Sequence, residues 1–348
     1  MKQIEVGVLG GTGMVGQHFI RFLEGHPWFK LVWLGASARS ADKRLRDATA
    51  WKLDAEIPAS AADITVSESK PGHAPRLVFS AMDASVATEV ERAFAHCGHI
   101  IVSNSRNHRM EPDVPLLVPE VNACHLRAIR SQQQNRGWKG MIVTNPNCST
   151  IVLTMALAPL LKFGIKRVIA TTLQAVSGAG YPGVASMDIV ANVIPYIGSE
   201  EEKMQQETQK ILGRYEEGHF LPLEAQVSAH CNRVPVIDGH TVTASVEFEH
   251  KPGLDDARHA IENFRGAPQE RRLPSAPPNP LVYLEHQDRP QPRRDASRER
   301  GMATFVGRLR ECPALDVKFV ACGHNTIRGA AGAAVLNAEL MATEGLLD

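Results

Sequence analysis

Val6-Gly7-Val8-Leu9-Gly10-Gly11-Thr12-Gly13-Met14-Val15-Gly16 is the stretch that decides the fold of this chain. It contains Gly-x-Gly-x-x-Gly from Gly11 and Gly-x-x-Gly-x-x-Gly from Gly10. The glycines follow an apolar strand and open a helix, which is the context in which such a loop binds the pyrophosphate of a dinucleotide. The alternative is an ordinary glycine-rich turn. We expect the cofactor contacts to come from Gly10, Thr12, Gly13, Met14, Val15 and Gly16.

Around this loop, short apolar runs alternate with helical stretches. We predict strands at Ile4–Leu9, Leu31–Ala36, Leu77–Ala81, Ile100–Asn104 and Met141–Asn145, and helices at Met14–Glu24 and Ser85–His96. The last four strands are nearly continuous in apolar residues, which is typical of a parallel sheet covered by helices on both faces. This half is therefore expected to be a doubly wound, Rossmann-type α/β domain.

The second half differs from the first in having longer strand-like runs. These are Arg167–Val176, Val227–Ile237, Thr241–Phe248, Met302–Arg310 and Asp316–Cys322. Asp238-Gly239 lies between two of them and is a strong signal for a two-residue hairpin. We therefore expect an α+β domain with a mixed, largely antiparallel sheet. The Pro- and Arg-rich segment Gly266–Arg300 predicts a long excursion on the surface.

A chain of 348 residues is too long for a typical single core, so two domains are expected. The Ala-rich stretch Arg328–Glu344 predicts a terminal helix that docks back on the first domain. We place a dinucleotide-binding domain at residues 1–148 plus 328–348, and a catalytic and dimerisation domain at 149–327.

The composition excludes several classes of function. Lys plus Arg and Asp plus Glu both number 38, so no overall field attracts nucleic acid or an anionic membrane. We find neither a signal peptide nor an apolar run long enough to span a bilayer. The six cysteines lack CxxC pairs, which favours reduced thiols in the cytoplasm. The chain has no His/Cys cluster with zinc spacing, so we expect no structural metal.

The end of the second predicted strand indicates which dinucleotide binds. An acidic residue there would accept a hydrogen bond from the ribose 2′-hydroxyl of NAD. This chain instead has Ser37, Arg39 and Ser40, with Lys43 just beyond, and hydroxyls and cations suit a 2′-phosphate. We therefore expect NADP, with a solvated basic loop as the alternative.

Asn147-Cys148-Ser149 precedes a long apolar run, Ile151–Leu161, that predicts a buried helix. Cys148 thus falls at or just before the first helical turn. Unpaired backbone N–H groups and the helix dipole favour a thiolate there, so we expect a lowered pKa and a reactive thiol. The alternative is a small buried residue that caps a core helix.

Three further clusters lie in the second half. Gln174–Gly183 ends a strand with three glycines, so its backbone must approach a ligand or another segment closely. Ser199 and Glu202 fit a capping box at the start of a helix. Glu200 and Lys203 would share a face of that helix, and the default interpretation of these two residues is an ion pair on the surface. Across the expected hairpin, Arg233, Ile237 and His240 would project from one face, which suits an anionic substrate beside a proton shuttle. A histidine after a turn is otherwise usually just exposed.

Taken together, these motifs resemble the aspartate-semialdehyde dehydrogenase family, in particular its archaeal and fungal form. The matching stretches span nearly the whole chain in the family's order: Gly10–Gly16, Ser103-Asn104 with His108-Arg109-Met110, Asn145–Thr150, Gln174–Gly183, Ser199–Gly213, Arg233–His240, Asp288–Arg293 and Asn325–Gly332. The resemblance implies NADPH-dependent reductive dephosphorylation of L-aspartyl 4-phosphate, in lysine, threonine and methionine biosynthesis. It also implies a homodimer or homotetramer formed through the sheet of the second domain.

The resemblance also implies the roles of individual residues. Cys148 would be the nucleophile that forms a thioester, His240 the general acid/base, and Gln174 the residue that orients the acyl group, with Asn147 beside the nucleophile. Substrate binding would involve Arg233 at the α-carboxylate, Glu200 at the amino group, and Arg109 and Lys203 at the phosphate with Asn104 nearby. Ser177, Gly178 and Asn325 would contact the cofactor. Because Glu201 and Glu202 adjoin Glu200, which of the three contacts substrate stays open.

Two other functions remain open at this point. A related reductase would act on another activated acid, such as malonyl-CoA or an N-acylated glutamyl phosphate. A non-catalytic dinucleotide-binding paralogue would have lost the nucleophile or the base, whereas this chain keeps Cys148 and His240.

Overall fold

Two six-stranded sheets organise the chain, of which the computed structural model describes residues 3–347. The first sheet consists of β1 (Ile4–Leu9), β2 (Phe29–Ala36), β3 (Val66–Glu68), β4 (Leu77–Ser80), β5 (Ile100–Ser103) and β6 (Met141–Thr144). All of its strands are parallel, in the order β3-β2-β1-β4-β5-β6. This is the strand order of a doubly wound dinucleotide-binding sheet, as expected. The short strand β3 is an addition to the predicted set.

Helices cover both faces of this sheet because its strands are apolar on both sides. The helices of this half of the chain are α1 (Met14–Leu23), α2 (Leu45–Ala48), α3 (Ala59–Ala62), α4 (Ala84–His96), α5 (Pro119–Asn122) and α6 (Ala128–Arg136), with a 3₁₀ turn at Ala123–Arg127. On one face, Phe19 of α1 packs in one core with Val6 and Phe79 of the sheet. On the other face, Phe94 of α4 packs with Trp33 and Ile142.

The second half contains the remaining elements. They are α7 (Cys148–Leu157), β7 (Ile165–Gln174), α8 (Ser186–Ile189), α9 (Glu200–Leu212), β8 (Arg214–Glu216), β9 (His219–Leu221), β10 (Gln226–Arg233), β11 (His240–Phe248), α10 (Leu254–Glu262), α11 (Ala267–Glu270), β12 (Leu281–Leu284), α12 (Pro292–Asp295), β13 (Thr304–Glu311), β14 (Val317–Gly323) and α13 (Gly332–Thr343). Single turns lie at Ala158–Phe163, Val176–Ala179, Arg298–Gly301 and Ile327–Ala331, the last of them π-helical.

The second sheet is mixed, as expected, but its topology corrects the predicted hairpin. Its order is β10-β7-β11-β14-β13-β12, so β7 lies between β10 and β11. Strand β7 pairs with β10 in parallel and with β11 in antiparallel fashion. The Asp238-Gly239 hairpin is therefore wrong: β10 ends at Arg233, four residues before the predicted Ile237, and the chain crosses over β7 before β11 begins at His240.

The Pro- and Arg-rich segment is also more structured than predicted. It contributes α11, α12 and the edge strand β12, which pairs in parallel with β13. The fully buried carboxylate of Asp295 accepts hydrogen bonds from Arg289 and Arg298 and from the backbone of Gln291. Gly239 packs directly against this segment, because a Cβ there would lie 2.8 Å from Ala296 Cβ. The segment thus supports the turn that precedes β11.

The terminal helix α13 packs into the first core. Its residues Ala334, Val335, Leu336 and Leu340 are fully buried in the same cluster as Val6 of β1. In the second half, α7 forms the centre of a separate core, where Ile151 and Leu153 pack with Val242 of β11. Residues 1, 2 and 348 of the predicted domain bounds lie outside the described residues.

None of the helices in residues 3–347 is long and apolar enough to cross a bilayer. No group of three or more His, Cys, Asp or Glu side chains in that range is arranged to hold a metal ion.

Glu111 provides a test of acid stability. Burial alone would raise the pKa of its carboxyl group, but hydrogen bonds from His108, Arg136 and Arg92 outweigh burial and lower this pKa to about 2. Ionised Glu111 thus stabilises the fold above the unfolded pKa of about 4.5, and the contribution disappears as the pH falls through about 2.

We expect Glu111→Gln to lower the free energy of unfolding by about 1–2 kcal/mol at pH 7 after allowance for solvent screening, and by less as the pH falls from 4.5 towards 2. Urea denaturation across this pH range measures the difference. Glu89→Gln, at an exposed position on α4, is the control. A Glu111 effect that does not change with pH would contradict this account.

Candidate active site

Cys148 is the first residue of α7, and Asn147 caps the helix. Asn147 Oδ1 accepts hydrogen bonds from the backbone N–H groups of Ser149 and Thr150, at 2.9 and 3.2 Å. The helix itself is buried along its length because Ile151–Leu157 is apolar apart from Thr154. The cap and the core therefore fix the thiol at the carboxyl edge of the first sheet, just after β6.

His240 lies directly against this thiol. Cys148 Sγ is 3.1 Å from His240 Nε2, and the imidazole is fully buried. The backbone N–H of Ala175 donates to His240 Nδ1 at 3.0 Å. Because Nδ1 is an acceptor there, the proton of the neutral ring is on Nε2, the nitrogen that faces the sulfur.

The pKa of this thiol corrects the sequence expectation. Burial, followed by the charge of Glu200, raises the pKa of Cys148 to about 12, although Arg109, Arg233 and the Ser149 N–H oppose the shift. Burial, followed by the charges of Arg233 and His324, lowers the pKa of His240 to about 3. Desolvation thus outweighs the helix N-terminus, and both shifts favour a neutral thiol beside a neutral imidazole at neutral pH.

Arg233 and His240 converge on the site, but not across a hairpin. Arg233 is at the end of β10, where its Nη1 donates to Ala175 O at 2.8 Å. A Cβ on Gly178 would lie 2.8 Å from Arg233 Nη1 and 2.9 Å from His240 Cε1. The glycine-rich loop therefore allows close approach of the chain to these two side chains. Ile237, predicted on the same face, is instead 76% exposed.

Of the three adjacent glutamates, Glu200 alone lines the cleft. Its Oε1 accepts from Asn147 Nδ2 at 2.5 Å and from Gln174 Nε2 at 3.3 Å, and its Oε2 lies 3.4 Å from Lys203 Nζ. Glu200 and Lys203 are therefore a site pair rather than a surface pair.

The neighbours of Glu200 have other positions. Glu201 accepts a hydrogen bond from the backbone of Cys231, and Glu202 is exposed. The predicted capping box is wrong, because Ser199 has φ 55° and its side chain makes no capping hydrogen bond. A left-handed residue at this point turns the hydroxyl away from the helix N–H groups that it would cap.

Arg109 enters the cleft from the first half of the chain. Its Nη1 donates to Glu207 Oε1 at 2.9 Å and its Nη2 donates to the carbonyl of Asn104 at 2.8 Å. Arg109 Nε and Asn104 Nδ2 are buried and have no hydrogen-bond partner among the described residues. Both groups are donors, so an anionic ligand in the cleft would satisfy them.

The cleft has a volume of about 830 Å³ and brings the glycine loop to the thiol. Its lining includes Met14, Val15, Asn104, Arg109, Asn147, Cys148, Ser177, Gly178, Glu200, Lys203, Arg233 and Asn325. His240 and Gln174 lie behind this surface, both almost fully buried. Asn325 links the two sides of the site, since it accepts from the Gly239 N–H and donates to Ser177 Oγ, both at 2.8 Å.

The loop geometry favours the pattern that starts at Gly10. Gly10 has φ 73°, and a Cβ there would lie 2.6 Å from Ala81 O. Gly13 precedes α1, and a Cβ on Gly16 would lie 2.2 Å from Gly10 O, so α1 can approach the loop only with glycine there. Thr12 lies within this turn, where its carbonyl accepts from Thr49 Oγ1. The free N–H groups at the start of α1 fit a pyrophosphate.

Ser37, Arg39 and Ser40 directly follow β2, as expected, and lie outside the cleft lining. Ser37 and Arg39 are exposed and Ser40 is partly buried, so hydroxyls and a cation are accessible where this strand ends. No acidic side chain occupies residues 35–41. These residues fit a 2′-phosphate better than a free ribose hydroxyl.

Several groups at this site were not among the residues predicted from the sequence. Glu207 accepts hydrogen bonds from Arg109 and from the backbone N–H of Asn147. Lys210 donates a hydrogen bond to the backbone carbonyl of Arg109. Both continue the spacing of Glu200 and Lys203 along one helix face, a signal that the sequence contains. The Ala175 N–H is a backbone donor, and no sequence pattern indicates its contact.

The raised thiol pKa makes a direct prediction for alkylation. In the protein without added ligands, we expect the rate constant of Cys148 with iodoacetamide to rise about tenfold per pH unit from pH 7 to pH 10, since the thiolate fraction grows throughout this range. Mass spectrometry of tryptic peptides gives the rate, with the exposed Cys97 and Cys124 as internal references. A plateau near neutral pH would instead reveal a stabilised thiolate and contradict this picture.

Comparisons with known proteins agree with this geometry. The chain matches the family described as "Semialdehyde dehydrogenase, NAD binding domain" over residues 5–129, and "Semialdehyde dehydrogenase, dimerisation domain" over residues 157–328. It is similar to an aspartate-semialdehyde dehydrogenase from Methanothermobacter thermautotrophicus, with 51% identity over 97% of this chain and 99% of that protein. A relative of the same name from Schizosaccharomyces pombe is 46% identical and covers 99% of both chains.

Solved structures show the same likeness. The crystal structure of aspartate-semialdehyde dehydrogenase with NADP from Candida albicans superposes with a TM-score of 0.92 and 43% identity, over 99% of this chain and 100% of that one. A Vibrio cholerae aspartate-semialdehyde dehydrogenase II complexed with ASA gives a TM-score of 0.78 at 26% identity, over 99% of both chains. The resemblance seen in the motifs is thus confirmed along the whole chain, and the chain belongs to the aspartate-semialdehyde dehydrogenase family.

Proposed function

We propose that this protein catalyses the NADPH-dependent reductive dephosphorylation of L-aspartyl 4-phosphate to L-aspartate 4-semialdehyde, in lysine, threonine and methionine biosynthesis. The observation that carries the proposal is the Cys148–His240 contact of 3.1 Å at a cleft that also exposes Glu200, Arg233 and Arg109. One anion and two cations around a nucleophile match a substrate with an ammonium, a carboxylate and a phosphate. The names of the relatives support the same activity.

The nucleophile in this proposal is Cys148. Its sulfur attacks the acyl carbon, a C–S bond forms, the bond from that carbon to the phosphate oxygen breaks, and phosphate leaves with one proton. Bound NADPH would supply the hydride that reduces the resulting thioester. The C–S bond then breaks, which releases the aldehyde and leaves the sulfur as thiolate, and the thiolate takes up one proton from solvent to restore the neutral thiol. A thioester accepts hydride readily, so covalent catalysis divides one difficult step into easier ones.

His240 is the acid/base partner in this scheme. Because the Ala175 N–H occupies Nδ1, Nε2 is the ring nitrogen that faces the reacting atoms, and in the neutral ring it faces them as a hydrogen-bond donor. The Nε2–H is also aimed to stabilise the thiolate and then the oxygen anion that develops on the acyl group. We assign to Gln174 the orientation of the acyl group, and to Asn147 the orientation of Glu200 and of the start of the nucleophile's helix.

Substrate recognition is assigned by charge. We propose that Arg233 binds the α-carboxylate and Glu200 the amino group, because both are almost fully buried at the cleft near Cys148. Arg109 and Lys203 would hold the phosphate, with Asn104 Nδ2 as an additional donor. Guanidinium groups offer two parallel donors to an oxyanion, which suits both positions.

We propose that residues 1–148 with 328–348 form the NADP-binding domain and that 149–327 form the catalytic domain. The cofactor contacts would come from Gly10, Thr12, Gly13, Met14, Val15 and Gly16 at the pyrophosphate, from Ser37, Arg39 and Ser40 at the 2′-phosphate, and from Ser177, Gly178 and Asn325 at the nicotinamide end. The NADP bound to the Candida albicans relative supports this choice.

We also propose a homodimer or homotetramer, formed through the second sheet. The outer face of β7 carries Ile169 and Leu173, which are 49% and 38% exposed. The segment beside it exposes Met187, Val190 and Tyr196 by 90%, 67% and 72%. Exposed large apolar side chains of this kind are typical of a protein–protein interface. A cytoplasmic location is proposed as well, supported by six free cysteines.

The assembly is tested at an interface residue. We expect Ile169→Lys to shift the mass in analytical ultracentrifugation from an oligomer towards the monomer, since a buried lysine opposite its own copy is repelled and poorly solvated. Val86→Lys, at an exposed position on α4, is the matched control. A wild-type protein that sediments as a monomer at micromolar concentration would rule out this interface.

The activity is tested in the oxidative direction. We expect phosphate-dependent reduction of NADP with aspartate semialdehyde, and loss of turnover by about three orders of magnitude in Cys148→Ser with cofactor binding retained. Arg233→Lys should raise the KM for semialdehyde about tenfold, because an ammonium cannot form the bidentate hydrogen bonds that a guanidinium forms with a carboxylate.

Assays with the substrates of the two alternative reductases can contradict this proposal. Malonate semialdehyde with coenzyme A, and the semialdehyde of an N-acylated glutamate with phosphate, are assayed in parallel. A kcat/KM for either that exceeds the value for aspartate semialdehyde would reject the proposed substrate. Wild-type rates in Cys148→Ser would reject the covalent route.

A further inference from the structure

One face of α9 carries a row of alternating charges that extends beyond the proposed substrate site. Glu200, Lys203, Glu207 and Lys210 are spaced by three, four and three residues, so they lie on one face of the helix. The last two are buried, with 2% and 4% exposure. Buried charges of this kind persist only when they are paired or hydrogen-bonded, so their partners indicate what they do.

The carboxylate of Glu207 has two partners, and both belong to the proposed site. Oε1 accepts from Arg109 Nη1 at 2.9 Å, and Oε2 accepts from the backbone N–H of Asn147 at 2.6 Å. One buried group thus holds the cation assigned to the phosphate and the residue immediately before the nucleophile. Glu207 itself is absent from the cleft lining.

The ammonium of Lys210 holds the backbone around Arg109. Its Nζ donates to the carbonyls of Arg109, Glu111 and Val114, at 2.8, 2.9 and 2.9 Å. These three hydrogen bonds use every donor of the ammonium group. They fix the loop that presents Arg109, and they come from a helix in the other half of the chain.

Arg109 is consequently held at three points. Glu207 orients Nη1, the Asn104 carbonyl orients Nη2, and Lys210 fixes the backbone. Its Nε remains buried without a partner among the described residues, as does Nδ2 of Asn104 in the lining of the same cleft. The restraints therefore fix both Nη atoms of the guanidinium and leave Nε without a partner within the described part of the protein.

We infer that Glu207 and Lys210 are positioning residues for the phosphate end of the substrate: from the helix that carries Glu200, they hold Arg109 in the orientation that binds the phosphoryl group. This inference rests on the proposed function for the identity of the anion. Neither residue touches substrate, and both act through Arg109. The helix thereby carries Glu200 at the amino end of the site and, about 10 Å further along its axis, Glu207, which holds the Arg109 assigned to the phosphate.

The test uses Glu207→Gln and Lys210→Gln in the full-length protein, with Glu202→Gln as the matched control on the exposed face of α9. Kinetics are measured at pH 7, where Lys210 is charged because burial lowers its pKa only to about 8. We expect the KM for phosphate to rise about tenfold in both site variants, the cost of one charge-assisted hydrogen bond. The KM for semialdehyde should stay within about twofold, and the control should match wild type in both constants.

A second measurement does not require turnover. Inorganic phosphate should protect Cys148 from iodoacetamide, and the half-protecting concentration should rise in Glu207→Gln and Lys210→Gln but not in Glu202→Gln. If wild type shows this protection and its dependence on Glu207 but no activity with semialdehyde, the proposed function fails and the inference stands. Absence of phosphate protection in wild type would overturn the inference.

A structural role would give a different result. If the variants lower the melting temperature and kcat but leave the phosphate KM and the protection unchanged, Glu207 and Lys210 only join the two halves of the chain, and the inference is rejected. Glu207→Asp keeps the charge and is the second variant if Glu207→Gln does not fold. Failure of Glu207→Asp to fold would likewise reject the inference.

Discussion

The contact between Cys148 Sγ and His240 Nε2 joins segments 92 residues apart, and most of the site exists to maintain it. The Asn147 cap and the apolar body of α7 fix the sulfur. The Ala175 N–H fixes the imidazole, and the carbonyl of the same residue holds Arg233. Because Ala175 follows β7, the position of that strand between β10 and β11 brings nucleophile, imidazole and cation together.

Burial determines the chemical state of this pair. Desolvation raises the pKa of Cys148 and lowers the pKa of His240, so the neutral forms of both groups are favoured. Arg109 and Arg233 favour the thiolate, and Glu200 opposes it. The charges that would recognise the substrate are therefore among the charges that govern ionisation of the nucleophile.

Much of this arrangement was accessible from the sequence, for identifiable reasons. The glycine loop and the continuous apolar strands are local patterns, and they gave the first sheet correctly. The Asp238-Gly239 hairpin failed because a turn signal does not report whether a third strand, here β7, inserts between its neighbours. The pKa of Cys148 was misjudged because desolvation depends on tertiary packing. Glu207 was missed although its spacing from Glu200 was visible, since its partners come from distant segments.

The burial of α13 in the first core has a consequence for synthesis of the protein. Ala334, Val335, Leu336 and Leu340 complete the cluster around Val6 and Phe19, so this core draws on both ends of the chain. Domains begin to fold while the ribosome is still synthesising the chain, and synthesis proceeds at roughly 5–20 residues per second. The apolar surface that α13 covers is therefore exposed until that helix has been synthesised. Translation of the intervening residues sets how long this surface stays exposed.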